Sequence, residues 1–121
     1  MNNVVKIANG QGFWGDSVDA PLSLVEKANI DYLTLDYLAE VTMAIMQKQY
    51  NKNPNTGYAT DFIDFILKAE SLIKSKNIKI ITNAGGVNPN KCAEEIISRA
   101  KTSLRIAIVE GDNIVDKIQG Y

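Results

Sequence analysis

Short apolar runs alternate along this chain with longer stretches whose apolar residues recur every three or four positions. The short runs are rich in β-branched residues, which is typical of strands, and they lie at residues 4–8, 30–35, 78–82 and 104–109. The longer stretches predict helices at about residues 21–29, 38–50, 58–76 and 89–101. A glycine-rich loop at residues 9–17 and an Asn-rich loop at residues 51–57 separate these elements.

This order of elements predicts an α/β fold. Strands that alternate with helices favour a parallel sheet with right-handed crossovers. We expect a doubly wound, Rossmann-like sheet with helices on both faces, because the third and fourth apolar runs are nearly continuous. The alternative is part of a (β/α) barrel, since four βα units make about half of an eight-stranded barrel. Residues 1–121 suit a single α/β domain.

The stretch IKIITNAGGVNPNKC, residues 78–92, contains the strongest candidate for a binding site. A predicted strand opens into Asn83, Gly85 and Gly86, and Asn88 is followed by a proline at a predicted helix start. Free N–H groups at a helix start, together with the helix dipole, favour an anion. We therefore predict that Asn83, Gly85, Gly86 and Asn88 bind an anionic ligand.

The loop after the first predicted strand contains a G-x-G-x-x-G pattern at residues 10–15, and Asp36 follows about twenty residues later. This spacing matches a dinucleotide-binding fingerprint. However, the third glycine precedes the predicted helix start, and two aromatic residues stand where a pyrophosphate has to approach. We favour a turn whose aromatic residues form a lid or pack against another domain, with Asn9 and Gly12 as ligand-binding candidates.

Acidic side chains follow the predicted strands. Because ligands of parallel α/β folds bind at the carboxyl ends of strands, we consider Asp16, Asp36 and Glu40 candidate catalytic acid/base groups. Carboxylates at such positions can also bind a metal, but we assign no metal ligand. The alternative is that these residues cap helices or close loops, as Asp36 does if it is the N-cap of the second helix.

Composition excludes several classes of function. The net charge is −1, so nothing favours nucleic acid or an anionic membrane. No apolar run reaches the ~20 residues of a membrane span, and no signal peptide is recognisable. A single cysteine cannot form an internal disulfide, which fits a cytoplasmic protein. The absence of histidine removes the commonest general base and the commonest metal ligand from this chain. The cysteine, Cys92, borders an apolar helix face, and we expect it to be a packing residue.

Four segments together resemble the acyclic terpene utilisation family: GFWGD at 12–16, DYLTLDYLAE at 31–40, GYATDF at 57–62 and TNAGGVNP at 82–89. Members of this family run to several hundred residues, so the resemblance implies that this chain is the N-terminal part of a longer architecture. It also implies a role in the catabolism of acyclic terpenoids such as citronellol and geraniol, which proceeds through acyl-CoA intermediates. The resemblance supplies no catalytic residue and no cofactor.

Two functions remain open at this stage. The first is an enzyme, or part of one, that binds a small metabolite or a CoA thioester at the carboxyl ends of the strands. The second is a non-catalytic subunit or interaction module that docks to a partner domain. An apolar surface left uncovered also predicts a homo-oligomer or a partner subunit. The sequence does not decide whether the chain is an enzyme, and the cofactor stays unassigned.

Overall fold

Three short strands form a parallel sheet at the centre of the fold. In this computed structural model, which describes residues 3–120, the strands are β1 (Ile7–Gln11), β2 (Tyr32–Leu35) and β3 (Lys79–Thr82). They pair in the order β1-β2-β3. The α/β class and the parallel sheet predicted from the sequence are thereby confirmed.

The four predicted helices are present. They are α1 (Asp19–Lys27), α2 (Glu40–Lys52), α3 (Thr60–Ser75) and α4 (Pro89–Arg99), and a short 3₁₀ helix follows at Val115–Gly120. No helix within residues 3–120 has the length and apolar character needed to cross a membrane.

The start of α2 corrects the predicted role of Asp36 as its N-cap. Ala39 holds the N-cap position, three residues further along the chain. The Asp36 carboxylate instead accepts a hydrogen bond from Leu38 N (3.1 Å), which closes a turn ahead of the helix.

The helices cover one face of the sheet. On that face Leu33 and Leu35 are 0% and 2% exposed, and α1 contacts both β1 and β2 while α3 lies between α1 and α4. On the opposite face Ile7 and Ile81 are 65% and 56% exposed. The predicted cover on both faces is therefore not seen among residues 3–120.

Strand order explains this one-sided cover. Right-handed crossovers that always step in the same direction along a sheet place every helix on the same face. A doubly wound sheet needs a reversal of the strand order, and β1-β2-β3 contains none. Three strands in sequence order occur both in one half of a doubly wound sheet and in a (β/α) barrel, so this order is common to the two predicted architectures.

The core is built from the helix-facing side of the sheet and the apolar face of α3. Phe65, Ile63 and Tyr37 are among its fully buried side chains, and the rings of Tyr37 and Phe62 meet edge-to-face at 5.9 Å. Burial of an apolar side chain such as Phe65 or Ile63 stabilises the fold by about 1.5–3 kcal/mol. Tyr37 lies two residues beyond the end of β2, so the core reaches the carboxyl end of the sheet.

The fourth predicted strand does not form. Residues 104–109 carry no strand structure, and Val109 is 94% exposed, whereas Ile106 and Ile108 are 39% and 38% exposed. An apolar run shows that a segment suits a sheet, but a strand also needs a neighbour with which its backbone forms hydrogen bonds. In the described structure this segment has no such partner.

A buried carboxylate anchors the segment that follows α4. Glu70 of α3 is 4% exposed and accepts hydrogen bonds from Lys101 N (3.1 Å), Thr102 N (3.2 Å) and Thr102 Oγ1 (3.0 Å). The N–H groups of Lys101 and Thr102 favour the ionised carboxylate, so the pKa of Glu70 is lowered. The contact fixes the end of α4 against α3.

Gly86 lies where two parts of the backbone approach closely. Its φ is +57°, and a Cβ at this position would lie 2.3 Å from Met46 Sδ and 2.6 Å from the Gly57 carbonyl oxygen. Val87 N donates a hydrogen bond to that same oxygen (3.0 Å). Glycine is therefore required at residue 86 because of packing between the loops at residues 57 and 86.

We expect Glu70→Gln to lower the thermal unfolding midpoint by several degrees. The amide retains one acceptor oxygen but loses the charge that the N–H groups of Lys101 and Thr102 favour. Because the folded-state pKa is lowered, the stabilisation by Glu70 is complete above the ordinary pKa of 4.5 and is lost as the pH falls through the lowered value. Thermal unfolding of the wild type and of Glu70→Gln, followed from pH 7 to pH 3, measures the loss of stability and its pH dependence. Glu26→Gln on the exposed face of α1 is the control, and an equal effect of both variants contradicts the prediction.

Gly86→Val is expected to destabilise the fold by roughly 2–6 kcal/mol, the sum of backbone strain and overpacking. Gly111→Val is the matched control, because Gly111 also has a positive φ (+124°) but a Cβ there would meet no atom within 4 Å. Chemical denaturation of both variants separates the two effects. If both variants lose the same free energy of unfolding, the close approach at Gly86 does not contribute to stability.

Candidate functional site

The loops that follow the three strands begin side by side. Gln11, Leu35 and Thr82 are aligned as the last residues of their strands. The predicted residues Asp36 and Asn83 therefore leave the sheet at the same edge. This carboxyl edge is where parallel α/β proteins bind ligands.

Asn83 connects two of these loops through its side-chain amide. Asn83 Oδ1 accepts a hydrogen bond from Tyr37 N (2.7 Å), and Asn83 Nδ2 donates one to Asp36 Oδ1 (2.8 Å). Asp36 N in turn donates to the carbonyl oxygen of Gln11 (3.1 Å). These bonds join the ends of all three strands, and we name Asp36, Tyr37 and Asn83 the edge cluster.

The carboxylate of Asp36 is held in its charged form. Its side chain is exposed, and the hydrogen bonds from the Asn83 amide and from Leu38 N lower its pKa. A general base works best with a pKa near the working pH. Asp36 is thus better suited to accept a hydrogen bond from a ligand, or to face a positive charge, than to remove a proton.

The other two candidate acid/base residues, Asp16 and Glu40, have different environments. Asp16 Oδ2 accepts hydrogen bonds from Gly12 N (2.8 Å) and Phe13 N (3.3 Å), so this carboxylate closes its own loop. Glu40 lies exposed at the first position of α2. Within residues 3–120 no three Asp, Glu, Cys or His side chains come together as a group able to hold a metal ion.

The loop that contains the predicted G-x-G-x-x-G pattern also makes a tertiary contact. Trp14 Nε1 donates a hydrogen bond to Asp61 Oδ1 (3.0 Å) in the first turn of α3. Gly12 has space, since a Cβ there would meet only Asp16 Oδ2 at 3.6 Å. Asn9 lies on the open face of the sheet, where its Oδ1 accepts a hydrogen bond from Thr34 Oγ1 (3.2 Å). Gly12 therefore lies next to the carboxyl edge, whereas Asn9 lies two residues before the end of β1.

Gly85 and Gly86, the two glycines of the predicted anion site, make close contacts within the protein. Gly86 N donates to the Asn83 carbonyl oxygen (3.0 Å), and a Cβ at Gly85 would lie 2.7 Å from the Cβ of Pro89. Both glycines therefore form a tight turn that leads into α4. Binding of an anion to the Gly86 N–H remains a prediction, and it would require breaking this hydrogen bond.

Asn88 holds the N-cap position of α4, but its side chain does not cap the helix. Asn88 Nδ2 donates to the carbonyl oxygens of Pro54 and Thr56 (both 2.9 Å), which ties α4 to the loop before α3. The N–H groups of Asn90 and Lys91 in the first turn have no acceptor inside the helix. These two groups are the donors that the first turn of α4 contributes to the predicted anion site.

Sequence analysis missed two buried polar groups near the carboxyl edge, the Gln11 side chain and the Tyr37 hydroxyl. Gln11 is 3% exposed and Tyr37 is fully buried, and neither Gln11 Oε1 nor the Tyr37 hydroxyl has a hydrogen-bond partner among the described residues. Burial, followed by the charge of Asp61, raises the pKa of Tyr37. Tyr37 is surrounded by leucines in the sequence, which is typical of a core residue. The sequence therefore gives no sign that its hydroxyl lacks a hydrogen-bond partner.

Cys92 is a packing residue. Its side chain is 4% exposed, and burial raises the pKa of the thiol to about 11. A nucleophilic cysteine requires the opposite shift. The interpretation of Cys92 as part of the apolar face of α4 agrees with this burial.

Comparison with known proteins identifies the family. The family model described as acyclic terpene utilisation family protein AtuA matches residues 5–121. A comparison with curated proteins and a comparison with solved structures each gave no match. The matched range contains the Asp36 and Asn83 loops as well as every strand and helix of the fold. The chain therefore belongs to the acyclic terpene utilisation family.

Proposed function

We propose that this protein, which its family relates to acyclic terpene utilisation, binds an acyl metabolite of terpenoid catabolism at the carboxyl edge of its sheet. The observation that carries the proposal is the Asn83 amide, which holds the charged carboxylate of Asp36 exposed at this edge. At the carboxyl edge of a parallel sheet, a fixed and ionised carboxylate can orient a ligand.

The edge offers two kinds of polar contact. The Asp36 carboxylate accepts hydrogen bonds, and the N–H groups of Asn90 and Lys91 at the start of α4 donate them. A CoA thioester has amide N–H groups for the first contact and phosphates for the second. A free terpenoid acid can use only its carboxylate, so we expect the CoA thioester to bind more tightly.

Asp36→Asn tests this site with little change in shape. The amide can still accept the hydrogen bond from Leu38 N, but the charge is lost, so we expect the affinity for the CoA thioester of an acyclic terpenoid acid to fall about tenfold. Isothermal titration calorimetry measures the affinity of the wild type and the variant. CoA alone and inorganic phosphate serve as additional ligands.

Asp116→Asn is the control, because it removes the same charge from the exposed 3₁₀ helix. A general electrostatic effect would change the affinity equally in both variants. Unchanged affinity of Asp36→Asn, with the thioester still bound, contradicts a ligand role for Asp36. Absence of binding to all three ligands by the wild type contradicts the proposed function itself.

We propose docking to a partner as the second candidate function. The open face of the sheet favours it, since Ile7 and Ile81 lie exposed there beside Tyr32 and Lys79. Exposed apolar surface of this kind is common at protein–protein contacts. A site for docking on this face is compatible with a ligand at the carboxyl edge.

Ile81→Thr is expected to weaken self-association of the chain several-fold. Threonine is β-branched and suits a strand, so the sheet is retained while apolar surface is lost. Ile97→Thr on α4 is the matched control, because Ile97 is 60% exposed and Ile81 is 56% exposed. Sedimentation equilibrium measures association. A wild-type monomer at all concentrations contradicts docking between copies of the chain.

A further inference from the structure

Two buried polar atoms near the carboxyl edge have no hydrogen-bond partner among the described residues. They are Gln11 Oε1 and the hydroxyl oxygen of Tyr37. Gln11 is 3% exposed and Tyr37 is 0% exposed. A buried polar group without a partner is costly, and native proteins keep few of them. We name these two side chains the polar pair, and their free atoms indicate a site that receives a third polar group.

The two members of the polar pair lie close together. Burial raises the pKa of Tyr37, the charge of Asp61 raises it further, and the Gln11 side chain lowers it, so both residues lie near the Tyr37 hydroxyl. No hydrogen bond joins Gln11 to that hydroxyl. Gln11 Nε2 donates instead to the carbonyl oxygen of Phe13 (3.0 Å), which leaves Oε1 as the free acceptor. One group placed between the two side chains can therefore contact both.

The polar pair adjoins the proposed ligand edge. Tyr37 directly follows Asp36, and Asp36 N donates to the carbonyl oxygen of Gln11 (3.1 Å), the last residue of β1. The Asp36 side chain is exposed, whereas the Tyr37 side chain is buried in the core. A ligand held at Asp36 is therefore next to the polar pair.

The loop after β1 borders the polar pair. Trp14 of this loop packs partly buried against the core, and its Nε1 donates to Asp61 Oδ1 (3.0 Å), the side chain that lies near the Tyr37 hydroxyl. Gln11 contacts the same loop through the carbonyl oxygen of Phe13. Because both free atoms are buried, a ligand reaches them only when this loop moves, which changes the surroundings of Trp14.

The free atoms of the polar pair select a group that both donates and accepts. Gln11 Oε1 only accepts, and the protonated Tyr37 hydroxyl donates as well as accepts. A carboxylate or a thioester carbonyl only accepts, so it would leave Gln11 Oε1 without a partner. A hydroxyl group donates to Gln11 Oε1 and accepts from Tyr37 at the same time. An amine can donate to both atoms, but the acyl part of the proposed ligand has no amine.

We propose that the polar pair binds a hydroxyl group on the acyl chain of the ligand, so that this protein prefers a hydroxyacyl thioester to the same thioester without the hydroxyl. This preference rests on the proposed function, because it specifies the metabolite that binds at the carboxyl edge. A thioester without the hydroxyl leaves both buried atoms unpaired, which is the situation in which proteins discriminate strongly between ligands.

Matched ligands test the preference. They are the CoA thioester of an acyclic terpenoid acid, as the parent, and a series in which a hydroxyl group stands at successive carbons of its acyl chain. We expect at least one hydroxylated thioester to bind the wild type at least tenfold more tightly than the parent and to change the fluorescence of Trp14, the single tryptophan. Tyr37→Phe removes only the hydroxyl, so it should abolish this preference and leave the affinity for the parent unchanged. Isothermal titration calorimetry measures the affinities.

Tyr58→Phe is the matched control, because Tyr58 is also mostly buried (9% exposed) but its hydroxyl is not one of the two unpartnered buried atoms. It should keep the preference. Equal affinity of the wild type for all thioesters, an unchanged preference in Tyr37→Phe, or tight binding without a change in Trp14 fluorescence overturns the hydroxyl site and leaves the proposed function intact. Absence of binding of every thioester overturns the proposed function together with the hydroxyl site.

Unfolding without any ligand gives an independent measurement. A hydroxyl that is kept for a ligand does not stabilise the ligand-free fold, and its burial without a partner costs stability. We therefore expect the thermal unfolding midpoint of Tyr37→Phe to equal or exceed that of the wild type. A midpoint several degrees lower than that of Tyr58→Phe means that the hydroxyl forms a structural hydrogen bond, as it would to an internal water, and overturns the hydroxyl site.

Discussion

The side-chain amide of Asn83 is the interaction on which the carboxyl edge depends. It accepts from Tyr37 N (2.7 Å) and donates to Asp36 Oδ1 (2.8 Å), so a single residue joins the loops after β2 and β3. Only a side chain that has both a donor and an acceptor can satisfy these two neighbours. An aspartate here would place two carboxylates together, and a leucine would leave Tyr37 N without this acceptor and Asp36 with only the donor from Leu38 N. The arrangement of the edge therefore rests on one pair of hydrogen bonds.

The neighbouring glycines serve this arrangement indirectly. Gly86 N donates to the Asn83 carbonyl oxygen (3.0 Å), and Gly86 packs against Met46 and the carbonyl of Gly57. The tight turn thus places the backbone of Asn83 relative to α2 and to the loop before α3. A bulky residue at position 86 would disturb this packing first, so its effect on a ligand could not be separated from its effect on folding. Asp36 is a cleaner position for testing the site.

The sequence predicted those features that depend on local patterns. Periodic apolar residues indicated the three strands and four helices, and the carboxyl-end rule brought Asp36 and Asn83 to one edge. Asn88 holds the predicted N-cap position, but its side chain donates to the carbonyl oxygens of Pro54 and Thr56, more than 30 residues away in the chain, and does not cap the helix. The side of the sheet that the helices cover among residues 3–120 depends on strand order. Strand order is a long-range property that no local pattern records.

Under the proposed function, the polarity of the carboxyl edge limits which terpenoid derivative would bind there. Asp36 is ionised, so a ligand that places its own negative charge beside this carboxylate is disfavoured. The first turn of α4 favours an anion, since its N–H groups and its dipole point outward. A ligand that fits both needs hydrogen-bond donors at one end and anionic groups at the other, as a CoA thioester has. Phe13, which is 57% exposed on the loop after β1, is the apolar surface that the acyl chain of the proposed ligand would contact. A hydrocarbon alone would use that surface and leave every polar group of the edge unused.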